Sequence, residues 1–107
     1  SEENNNVRTA AFEVLSHLGE LEHIILSAHY DHDIIEGNPR KGWVKVGLVV
    51  DLSALIAPNV EDKAVMIKAT WADSWHLMRT EEIVVTKLVA EIDDTRMAIK
   101  MVLKAMS

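Results

Sequence analysis

Val7, Ala11, Val14, Leu18, Leu21, Ile25 and Ala28 recur at alternating spacings of four and three residues. That spacing draws one seam along a helix, of the kind that two or more helices bury against each other. Phe12, Leu15, Ile24 and Leu26 widen the apolar face beyond the seam, and a face that wide contacts more than one neighbour. The pattern predicts a first helix from about Val7 to Ile34 or Ile35, stopped by Glu36-Gly37-Asn38-Pro39. Residues 1–6 are polar, with three consecutive Asn. They are expected to form a flexible lead-in to a single helical domain over 7–107, with Asn5 or Asn6 as the cap.

Between Trp43 and Val50 the pattern changes. Val44, Val46, Leu48 and Val50 alternate with Lys45 and Gly47, which resembles a strand. A lone strand would have no partner in this chain, and Asp51 to Ala57 continues without a break. The segment is therefore expected to be a buried second helix, from about Lys41 to Ala57. Pro58-Asn59 opens a third helix, with Asn59 as its cap and Glu61 and Asp62 in its first turn. Its apolar positions are Val60, Ala64, Ile67, Trp71, Trp75 and Met78. A fourth helix starts near Thr80 with Glu81 and Glu82 and carries Val85, Leu88, Ile92, Ile99, Val102 and Met106. Lys87 with Glu91 and Asp93 with Arg96 are expected surface pairs along it. No Gly or Pro separates these last two helices, and together they would make a rod of about 70 Å. Thr80-Glu81-Glu82 has the form of a helix start, so a break is expected at Arg79-Thr80.

Composition agrees with helices. Gly and Pro together number six, whereas apolar residues make up 49% of the chain, enough for a core. The net charge of −6 disfavours binding to nucleic acid or to anionic membranes, since both need a basic surface. The absence of Cys removes disulfides, thiolate catalysis and cysteine zinc sites. Redox chemistry therefore does not decide the compartment, and cytoplasm is the default. The most apolar stretch, 43–57, is too short to span a bilayer.

Three polar or aromatic groups are candidates for chemistry. His29-Tyr30-Asp31-His32-Asp33 is the densest polar cluster. On a helix, His29 and Asp33 would lie one turn apart, as would His32 and Glu36, so that His29, His32 and Asp33 form a candidate metal site. The competing expectation is a helix C-terminus where the dipole favours cationic His beside Asp. The second group is Glu13, His17, Glu20 and His23, either an acid–base set or the wet edge of an amphipathic helix. The third is Trp71, Trp75 and His76, joined by Trp43, which form a candidate ligand pocket or, alternatively, core and interface.

Within the second group, Val14-Leu15-Ser-His-Leu18-Gly19-Glu20-Leu21 resembles the first motif helix of the MazG-type all-α nucleoside-triphosphate pyrophosphohydrolases. That family sets Glu-x-x-Glu on one helix and Glu-x-x-Asp on the next, to hold magnesium. Here only Glu20 matches. His17 stands at the first Glu, and the second-helix region 43–46 has no acid. The resemblance therefore does not carry the magnesium chemistry with it.

These observations predict an all-α, antiparallel four-helix bundle, completed or extended by dimerisation. The expected function is that of a non-catalytic interaction or accessory protein acting as a homodimer, with a further protein as a candidate partner and no cofactor. The alternative is a small-molecule-binding protein or a degenerate nucleotide pyrophosphohydrolase.

Overall fold

In the computed structural model, which describes residues 1–107, the first helix begins earlier than the apolar pattern implies. Helix α1 spans Glu2–Tyr30, with Ser1 as its N-cap accepting from the Asn4 amide at 3.2 Å. Glu2 and Glu3 put negative charge on the first turn, where the dipole favours it. The expected lead-in is thus mostly helix. The other end corrects the expectation too. The helix stops at Tyr30, and His32 takes a left-handed conformation with φ of 50°. Residues in that conformation commonly end helices. The Asp33 amide then donates to the Ser27 carbonyl. Asp33 Oδ1 accepts from the amides of Ile35 and Glu36, both at 2.9 Å, which closes the turn. Gly37 sits against the backbone of Ala28, where a Cβ would come within 2.6 Å.

Helix α2 spans Pro39–Ser53, so the strand-like alternation is helical, as expected. Asn38 caps it, accepting from the Arg40 amide, and Pro39 occupies the first turn, where a missing N–H costs nothing. A turn at Ala54 to Ile56 replaces the expected last helical residues. Helix α3 spans Pro58–Ser74. Its cap is Ala57 rather than Asn59, because Pro58 already takes the first helical position. Near its end, Ser74 Oγ donates back to the Thr70 carbonyl at 2.5 Å, and the chain tightens into a 3-10 turn at Trp75–Leu77. Helix α4 spans Glu82–Met106. The break near Arg79-Thr80 is present, and the chain folds back there.

The four helices form a ring in which α1 packs on α2 and α4, and α3 packs on the same two. Helices α1 and α4 run antiparallel. Arg8 at the start of α1 reaches the Met106 carbonyl at the end of α4, and Glu22 later in α1 meets Arg96 earlier in α4. Six of the seven seam residues on α1 are buried, and Val7 packs partly buried against the same core. The widened face is narrower than expected. Ile24 is buried and Leu15 half-buried, but Phe12 and Leu26 are exposed. The longest dimension, 46 Å, is close to the length of α1 itself. No helix is long and apolar enough to cross a membrane.

Two polar arrangements join helices. Glu91 is buried, and its Oε2 accepts from Thr70 Oγ1 at 3.0 Å, tying α4 to α3. The expected Lys87–Glu91 surface pair does not form, because Glu91 turns inward to α3. The expected Asp93–Arg96 pair is present at 2.9 Å, and Arg96 also reaches Glu22 across to α1 at 2.8 Å.

Gly42 and Trp71 make the tightest joint between α2 and α3. Trp71 is fully buried, and a Cβ on Gly42 would lie 2.2 Å from its ring. Gly47, on the same helix, has nothing within 4 Å of its own Cβ position. The two positions therefore respond with opposite sign. Gly42→Ala should lower stability by about 1–3 kcal/mol through overpacking. Gly47→Ala should raise it by about 0.5–1 kcal/mol through backbone entropy. Urea unfolding followed by circular dichroism measures both.

Candidate functional site

The aromatic and polar groups singled out in the sequence are dispersed by the fold. Trp71 is core, with Trp43 edge-on to it at 6.3 Å and partly exposed. Trp75 is half-buried in the 3-10 turn, its ring edge-on to exposed His76 at 5.9 Å. None of the four side chains lines either of the two main clefts, and the indole Nε1 of fully buried Trp71 has no hydrogen-bond partner.

The cluster at the end of α1 is engaged locally. His29 Nδ1 lies 2.7 Å from the Met78 carbonyl, so that nitrogen carries the hydrogen and donates. This bond fastens the end of α1 to the turn before α4. Asp33 spends one carboxylate oxygen on two backbone amides, and His32 is exposed in its left-handed turn. The one-turn spacing expected for His29 with Asp33 and for His32 with Glu36 needs a helix through Glu36. The helix ends at Tyr30, and no three His, Asp or Glu side chains gather as a metal-ligand set.

A cleft of about 590 Å³ opens instead between α1 and α2. Its size falls in the range of small-molecule sites. Ile24 and Val44 give it apolar walls, and Gly19 leaves its rim open. Glu20, His23, Glu36, Lys41 and Lys45 supply charge of both signs. Lys45 makes polar contacts to two α1 side chains. Its side chain is only 19% exposed, and its ammonium pairs with Glu20 Oε2. The same ammonium lies 3.2 Å from His17 Nδ1. A lysine ammonium only donates, so His17 accepts through Nδ1 and carries its hydrogen on Nε2. Lys45 holds the Glu20 carboxyl below its usual range, by hydrogen bond first and by charge second. At the other end, His23 Nε2 is 3.5 Å from both Glu36 Oε2 and Ser27 Oγ.

The cleft thus divides the α1 group found in the sequence. His17, Glu20 and His23 fall at this cleft, while Glu13 borders another, near Leu52 and Leu55. The sequence pattern does not mark Lys41 or Lys45 as site residues, and it pairs Glu36 with His32 rather than with His23. Lys45 stood out only as an interruption in a run of valines. One usable signal was the one-turn spacing of Lys41 and Lys45 on a helix. The pairing also bears on the pyrophosphohydrolase resemblance. Glu20 faces a lysine of the second helix, not the carboxylates that would share a magnesium ion with it.

Charge of both signs thus lines the cleft, with Lys41 and Lys45 on α2 and Glu20 and Glu36 around them. Asp33 closes the turn that carries Glu36, and its protonation is coupled to that turn. Backbone hydrogen bonds, first from Glu36 and then from Ile35, hold its carboxyl below the usual carboxylate range. The stability this confers is fully present above the unfolded value of about 3.9 and is lost as pH falls through the lower folded value. Asp33→Asn keeps an acceptor oxygen but cannot titrate. Its melting temperature should therefore fall less steeply than the wild type's on acidification below about pH 4; equal slopes would show that the turn does not couple to this proton. No family model, characterised protein or solved structure matches the chain.

Proposed function

We propose that the chain is a cytoplasmic, non-catalytic interaction or accessory protein that works as a homodimer. The observation that supports this reading most directly is the outer face of α4. Ile83, Met97 and Met101 lie along it with 78%, 63% and 68% of their surface exposed. Phe12 on α1 adds a further large exposed side chain. Single exposed apolar residues are ordinary, but a stripe of them along one helix marks a surface that another protein covers. Covering it removes apolar area from water, worth roughly 25 cal/mol per Å² before the costs of association.

The α1–α2 cleft supports a second reading, in which the bundle binds a small charged molecule. The two readings are compatible, because the cleft lies on the α2 side of α1 and the stripe lies on α4.

Light scattering at micromolar concentration should give twice the mass of one chain; a single-chain mass would remove the homodimer. For the cleft, calorimetric titration with glycine, glutamate and lysine tests the charge pattern directly. Lys45→Met should weaken any binding seen by about tenfold or more, whereas a Lys68→Met control on α3 should leave it unchanged.

A further inference from the structure

Ile83, Ala90, Met97 and Met101 are all exposed, and at 100° per residue they fall within an arc of about 40° on α4. Fully buried Ile92 lies on the opposite side of the helix. Three of the four are symmetric about Ala90, and Met101 extends the stripe beyond the symmetric part. Ile83 stands seven residues before Ala90, and Met97 stands seven after it. Lys87 stands three before and Asp94 four after, on one flank of the stripe. Both are exposed, and neither belongs to an ion pair within the chain.

We propose that α4 packs antiparallel against α4 of a second copy of this chain, with the twofold axis passing beside Ala90. The proposal rests on the self-association reading above and says which surface carries it. A twofold axis makes the interface isologous, so each contact occurs twice. With the axis at Ala90, Ile83 meets Met97 of the second copy, and Met97 meets its Ile83. The two Ala90 side chains face each other at the centre, where a small residue lets the helices approach closely. In an antiparallel pair, residues on the same flank come together. Lys87 therefore meets Asp94 of the second copy, and Asp94 meets its Lys87. Opposite, unpaired charges thus stand within one residue of mirror positions about the centre, on the same flank.

The outer stripe of α1 lacks this property. Phe12, Gly19 and Leu26 share the seven-residue repeat. Two of its charged neighbours are used inside the bundle, Glu20 by Lys45 and Glu22 by Arg96. Glu13 is exposed and makes no ion pair, but its mirror position about Gly19 is the buried Ile25, so no opposite charge meets it across a twofold axis there.

Size-exclusion chromatography with light scattering on the full chain tests the interface. The wild type should be a dimer. Ala90→Arg places two guanidinium groups at the axis and should raise the dimer dissociation constant by about tenfold or more, with helical content and melting unchanged in the monomer. Lys87→Asp alone sets Asp against Asp94 and should weaken the dimer, and Asp94→Lys alone should weaken it by the opposite clash. The double variant restores opposite charges and should dimerise again, as should an equal mixture of the two single variants. If Ala90→Arg stays dimeric, or if the double variant is no better than the singles, this interface is wrong while the homodimer stands. A wild type that is monomeric throughout removes both.

Discussion

Burial of the α1 seam is the constraint to which the rest of the structure answers. The helix is 29 residues long, and its buried residues run from Ala10 to Ala28. A stripe of that length needs cover on both sides. Helix α4, at 25 residues, is nearly as long and lies antiparallel along one side. Helix α2 has 15 residues and covers only part of the other. The remaining space is closed by α3, which brings Trp71 to the core and locks against α2 where Gly42 lacks a side chain. The large indole and the glycine act as one fitted pair, since neither helix could approach as closely with any other residue at position 42.

The polar contacts follow from this arrangement. Where two helices meet at the edge of the core, long side chains lay their stems over apolar surface and pair their ends. Arg96 does so between α4 and α1, and Lys45 between α2 and α1. Glu22 raises the affinity of Arg96 for its proton, ahead of the smaller contribution from Asp93. Glu91 goes further inward and is tied by Thr70, with one carboxylate oxygen left without a partner. Such a half-satisfied group costs stability, and its bond to Thr70 favours the pairing of α4 with α3 over other arrangements. The α1–α2 cleft is left where Gly19 presents no side chain, with Lys41, Lys45, Glu20 and His23 around the space.

Legibility in the sequence varied with the source of each feature. The α1 seam was readable because 3.6-residue periodicity is a local property, and six of its seven members are buried. The helical character of α2 was readable against its alternating pattern because a strand needs a partner. The end of α1 was misplaced because apolar Ile34 and Ile35 continue the periodicity, while the stop is made by Asp33 folding onto its own backbone. Glu91 was misplaced because a charged residue at helical spacing from Lys87 has a local partner in sequence, and only its position facing Thr70 made the inward bond available. The site residues suffered the same limit. His17, Glu20 and His23 share one helix and could be grouped, but Lys41, Lys45 and Glu36 join them across a turn.

The set of helices, their caps in part, and the stripe each one must bury follow from local pattern alone. Those depend on spacing, on Pro and Gly, and on interactions within four residues. Tertiary structure alone decided which polar side chains became partners, that Trp71 lies in the core while Trp75 packs at its edge and His76 is exposed, and where the cleft opens. Those outcomes depend on which helix faces which and at what offset. The offset is set by packing of large against small side chains, such as Trp71 against Gly42, between residues far apart in the chain.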